Sequence, residues 1–119
     1  MSKVLIIIND APYGTEKAFN ALRIAYQLTQ DHEHDVEVRI FLMADAVGCA
    51  VANHKLPNGY YNIERMLTAV IKKGAKLKLC GNCVESRGFT AVPLIEGAEI
   101  VHMSSLTEWI LDSDKVVTY

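Results

Sequence analysis

Hydrophobic positions along this chain keep two rhythms that take turns. The opening run "KVLIIIN" is apolar at five consecutive positions, the pattern of a strand covered on both faces. Pro12 and Gly14 then mark a turn, and Thr15 is a candidate N-cap for a helix reaching about Gln30. Its apolar residues Ala18, Ala21, Leu22, Ala25 and Tyr26 recur at helical spacing. "VEVRIFLM", from Val36 to Met43, predicts a second strand in which Glu37 and Arg39 alternate with apolar neighbours. A loop of small residues follows, with a short helix expected near 46–53. Pro57, Asn58 and Gly59 make the next turn. Asn62 can cap a helix whose stripe is Ile63, Met66, Leu67, Val70 and Ile71, and Gly74 ends it. "AKLKLC" and "AEIVHM" predict strands three and four. The box "SLTE" at 105–108 is expected to start a last helix with Leu106, Trp109 and Ile110 inward, before a closing strand "KVVTY".

Strands alternating with helices imply βαβ units, and so one α/β domain over 1–119 with a mostly parallel five-stranded sheet covered on both faces. Such sheets bind ligands beyond the C-terminal ends of their strands. Asn9, Asp10, Ala44, Asp45 and Cys80 stand at those ends.

Composition changes this picture little. Half of the 119 residues are hydrophobic, 22% are charged and the formal net charge is -2, as in an ordinary folded domain. Lys72, Lys73, Lys76 and Lys78 are spread over a helix end and a strand, which is not a nucleic-acid surface. No segment is long enough to span a membrane, and the first apolar run is too short for a signal peptide. The expected location is the cytoplasm, where thiols stay reduced.

That location gives weight to "KLCGNCVESRG", which sets Cys80 and Cys83 three positions apart at a strand end. A short helix over 81–87 would put Cys80 at its N-cap. Free N–H groups there favour an anion and predict a lowered thiol pKa. Gly81 and Asn82 supply the local backbone N–H groups, and Arg87 is a cation able to face the same anion. With Asn9, Asp10 and Asp45 they complete the candidate rim. A metal centre is disfavoured: one CxxC gives two ligands where structural zinc takes four, and His32, His34, His54 and His102 lack zinc spacing. A thioredoxin-type dithiol couple is a competitor, although the pair follows the third predicted strand rather than the first. Cys49, among small residues, reads as a packing residue. A non-catalytic ligand-binding or assembly module with incidental cysteines remains the alternative from another class.

"NDAPYGTEKAFNALRIA", "RIFLMADAV", "GYYNIERML", "KLCGNCVESRG", "VPLIEGAEI" and the ending "WILDSDKVVTY", in this order, resemble the DsrE/DsrF-like family, in its YchN-like branch. The resemblance covers nearly the whole chain. It implies a flavodoxin-like three-layer α/β/α fold and a ring-shaped homo-oligomer, trimer or hexamer. It also implies sulfur carried as a persulfide on one cysteine, received from and passed to donor and acceptor proteins or small persulfides, with no cofactor. The cysteine that matches is Cys80, with Arg87 and Gly88 completing the pattern. Cys83 has no counterpart in the sulfur-carrier motif and is expected to act as a resolving thiol.

Overall fold

The computed structural model describes Met1–Tyr119. Five strands run parallel: β1 Ser2–Ile8, β2 Val36–Leu42, β3 Lys76–Cys80, β4 Ala98–Val101 and β5 Lys115–Thr118. Their spatial order is β4-β3-β2-β1-β5, so the chain reverses its direction of travel across the sheet between β1 and β5. Helices α1 Lys17–Asp31 and α2 Ile63–Lys72 cover one face, and α4 Met103–Asp112 covers the other. The short helix α3, Gly81–Ser86, sits at the rim directly after β3. The fold is the expected three-layer α/β/α arrangement.

The two faces are unequal. Beneath α1 and α2 lie 22 buried apolar residues, among them Ile6, Ile8, Leu22, Ile40, Leu42, Leu67 and Leu79. Beneath α4 there are only seven: Leu5, Ile7, Phe41, Cys80, Val101, Leu106 and Trp109. Strand alternation produces this division, since Leu5 and Ile7 point opposite to Ile6 and Ile8. Cys80 thus belongs to the thinner core.

Several local expectations hold. Asn62 Oδ1 accepts the Arg65 N–H at 3.0 Å, and Gly74 ends α2's turn with φ +105°. Others need correction. Thr15 is not the N-cap residue, which is Glu16: its hydroxyl donates to Asp10 at 3.0 Å and accepts the Lys17 N–H only at 3.4 Å. "SLTE" does not start α4 either. The helix begins at Met103, and the Ser105 N–H already donates to the His102 carbonyl at 3.0 Å, so no side-chain cap is needed. Ile110 faces outward, with 40% of its surface exposed.

The expected helix near 46–53 is a 3-10 helix spanning Ala44–Ala50. The small apolar residues there are packed inward: Cys49 and Ala50 are fully buried. The segment after α3 pins them down, with Ile95 N–H donating to the Ala50 carbonyl and Ala52 N–H to that of Pro93, at 2.8 and 2.9 Å. Tyr61 likewise folds back onto Phe19, with ring centroids 4.5 Å apart, and leaves Tyr60 exposed.

Candidate functional site

β3 carries Cys80 to the rim of the sheet in register with Val101 of β4. Its backbone is still extended, with φ -67° and ψ 118°, and it serves as the N-cap of α3. Gly81 makes the immediate turn into α3 possible. A Cβ at this position would lie 3.1 Å from the Val101 carbonyl oxygen, so any larger residue would push α3 away from β4. One helical turn on, Cys83 faces back toward Cys80 and packs against both cores.

The start of the 3-10 helix supplies the other wall. The Ala44 N–H donates to Cys83 Sγ at 3.2 Å. Ala44 takes φ +51°, a left-handed conformation that costs an alanine roughly 1 kcal/mol. Next to it, Asp45 Oδ1 accepts from Arg87 Nε at 2.8 Å. Arg87 Nη1 donates to the Cys83 carbonyl at 3.2 Å and to Ser86 Oγ at 3.0 Å. The guanidinium therefore braces the end of α3 against the 3-10 helix, and none of these bonds reaches a sulfur.

Six of the rim residues meet here: Asp45, Cys80, Gly81, Asn82, Cys83 and Arg87. Asn9 and Asp10 lie elsewhere on the rim and are engaged there. Asn9 donates through both its backbone N–H and Nδ2 to the Tyr119 carbonyl, at 2.8 and 3.3 Å, which closes the gap between β1 and β5. Asp10 holds the Thr15 hydroxyl. The point where strand order reverses, a usual ligand crevice in open parallel sheets, is thus bridged by the backbone of Tyr119.

The electrostatics of Cys80 overturn an expectation. Burial pushes its thiol above the ordinary value, and a hydrogen bond to Cys83 adds to the rise by favouring the protonated form. The N–H groups of Cys83 and Asn82 do pull the other way, as an N-cap thiol requires, but they are outweighed. Only 6% of Cys80 is exposed, while Cys83 is half-buried. Cys49, fully buried, is pushed up to about 12 and is chemically quiet at neutral pH.

Two features had no clear sequence signal. The Ala44 N–H is a backbone donor and leaves no residue-type mark. A second network fastens the loop after the 3-10 helix. The Tyr13 hydroxyl accepts the Ile63 N–H at 3.1 Å and lies 2.7 Å from His54 Nδ1. Glu64 accepts the N–H groups of Asn53 and His54 at 3.0 and 2.8 Å. This holds Glu64 below the usual carboxylate range, against the opposing effect of burial.

The chain shares its fold and sequence with known proteins. It is 41% identical over 119 residues to protein YchN of Escherichia coli strain K12, with all of both chains covered. It is 38% identical over 117 residues to protein MJ0989 of Methanocaldococcus jannaschii, covering 98% of this chain and 99% of that one. The crystal structure of the E. coli YchN protein matches with a TM-score of 0.94 at 40% identity over the full length of both chains. MTH1491 of Methanobacterium thermoautotrophicum, at 12% identity and a TM-score of 0.81 over both full chains, shares the fold. The model of the DsrE/DsrF-like family matches residues 2–119, and this chain belongs to that family.

Proposed function

We propose that this chain handles sulfane sulfur, holding it as a persulfide on Cys80. The observation that carries this reading is the thiol pair itself: Cys80 at the strand end and Cys83 one helical turn on, packed together at the rim of a DsrE-type sheet. Cys80 is buried in the cluster that includes Phe41, Val101 and Trp109, with Met43 packed against it. A persulfide there would be shielded from bulk thiols, which otherwise remove its outer sulfur. The transfer is thiol exchange. A thiolate attacks the outer sulfur of a donor persulfide, a new S–S bond forms, the donor's S–S bond breaks, and the donor leaves as a thiolate. No net oxidation occurs and no cofactor enters. In this reading Asp45 and Arg87 act by positioning Cys83, and Gly81 by permitting the turn.

Incubation with glutathione persulfide followed by intact-protein mass spectrometry tests the proposal. The parent should gain one sulfur that it keeps, and a Cys80→Ser variant should fail to keep it. A parent that gains no sulfur at any donor concentration ends the reading.

We further propose that the working unit is a homo-oligomer, trimer or hexamer. The support lies on α4 and β5. Met103, Ile110 and Leu111 are 49%, 40% and 87% exposed, and Val116 and Val117 on the edge strand are 40% and 38% exposed. An outward apolar surface continuous with an open strand edge fits burial against another copy. Sedimentation equilibrium decides the matter, and a monomer mass at high concentration removes the assembly.

A further inference from the structure

We infer that Cys83 is the entry thiol, taking sulfane sulfur from the donor and handing it to Cys80 across the contact between them. The inference rests on the sulfur-carrying reading above and assigns the order of events within it. It reverses the resolving role that the sequence suggested for Cys83.

Three observations make Cys83 the thiol that meets the donor first. Its Sγ accepts the Ala44 N–H at 3.2 Å, a donor supplied from outside α3 by a residue in a strained backbone conformation. Cys83 is half-buried, whereas Cys80 has 6% of its surface exposed, so an incoming donor meets Cys83 first. Arg87 holds the Cys83 carbonyl and Asp45 together, which fixes α3 against the Ala44 N–H. The raised Cys80 pKa agrees, since a thiol that stays protonated is a poor first nucleophile.

The two steps balance. In the first, the Cys83 thiolate attacks the outer sulfur of the donor R–S–SH. The new bond forms at Cys83 Sγ, the donor's S–S bond breaks, and RS⁻ leaves with the electron pair and takes a proton from solvent. In the second, Cys80 attacks the outer sulfur of the Cys83 persulfide. The S–S bond at Cys83 breaks, its electron pair returns to Cys83 Sγ, and that sulfur takes the proton Cys80 gives up. One sulfane sulfur moves inward with no net redox change. Cys83 Sγ carries negative charge as nucleophile in the first step and as leaving group in the second. The Ala44 N–H serves both.

The test uses one equivalent of glutathione persulfide, quenching with iodoacetamide at successive times, and fragmentation mass spectrometry to separate Cys80 from Cys83 within one peptide. In the parent, sulfur should appear on Cys83 first and on Cys80 later. Cys80→Ser, which keeps the Ala44 N–H on Cys83 Sγ, should take up sulfur on Cys83 and fail to retain it. Cys83→Ser should charge Cys80 about tenfold more slowly than the parent does. Cys83→Ser charging at the parental rate, with Cys80→Ser taking up nothing, would overturn the relay and leave the sulfur-carrying reading intact. A parent that never charges would remove both. Substoichiometric iodoacetamide on the parent gives an answer that no folding defect of a variant can confuse. Cys83 should label before Cys80, and the opposite order refutes the assignment.

Discussion

Phe41→Ala should destabilise the protein by about 4 kcal/mol, measured by urea unfolding as a lower midpoint with an unchanged slope. Phe41 is fully buried, and its ring stands edge-on to Trp109 at a centroid distance of 6.4 Å. Its cluster has seven buried members against 22 on the other face, so few side chains are available to refill the space. A domain of this size has only about 5–15 kcal/mol to lose, which makes this change a large fraction of the total. The same change should alter Cys80. Burial is the main reason that thiol is raised, and a water-accessible cavity beside it removes part of that cause. Cys80 should then alkylate faster near neutral pH. Leu22→Ala on the opposite face is the control: it should cost about 3 kcal/mol and leave Cys80 labelling unchanged. Phe41→Leu, at about 1 kcal/mol, keeps the comparison open if the alanine variant does not fold. A thiol indifferent to both Phe41 variants would show that its protonation is set by Cys83 alone.

Local sequence carried the elements whose cause is local. The consecutive apolar run of β1, the Asn62 cap and the glycine stop at Gly74 are each decided within a few residues, and each was legible. So was Cys80 at the mouth of a short helix, because a strand ending directly in a turn needs only Gly81 beside it. The failures share a different cause. The 3-10 helix and the residues after it are fastened by hydrogen bonds with Pro93, which accepts from Ala52, and Ile95, which donates to Ala50, more than 40 positions on. Its small apolar residues fit an exposed patch as well as a packed one until those partners are known. The Cys80 thiol shows the same limit. The helix N–H groups act with the expected sign, but burial outweighs them, and that burial comes from a cluster gathered from other elements, with Phe41, Val101 and Trp109 among its members. Ala44 was legible as a strand-end residue, but its contact with Cys83 was not, because that contribution is a main-chain N–H placed by the fold.

Arg39 is the plainest instance of this limit, and Arg39→Ala should lower stability by about 2–3 kcal/mol at neutral pH. Alternation in "VEVRIFLM" put Arg39 among polar positions, yet it is 5% exposed. It donates to Asp112 at 2.8 Å and to Ser113 at 3.2 Å, and bonds Glu37 on its own strand. Its guanidinium carbon lies 5.7 Å from the centre of the Trp109 ring. The cation thus fastens α4 to β2 over the thin core that contains Cys80. Asp112 is largely exposed, which is why the expected loss falls below that of a fully buried pair. The pH dependence separates charge from packing. Burial opposes ionisation of Glu37, but Arg39 and Lys76 outweigh it and hold the carboxyl below its usual range; Arg39 and Lys3 do the same for Asp112. A carboxylate lowered in the folded state stabilises above its unfolded pKa, about 4, and that contribution disappears as pH falls through the folded value. The difference between parent and Arg39→Ala should therefore be largest near pH 7 and shrink at about pH 3. It should not vanish, because the arginine stem also packs on Trp109, and Arg39→Met should restore that part alone. A difference equal at both pH values would mean that stacking and stem packing, rather than the ion pairs, hold α4 over the cysteine site.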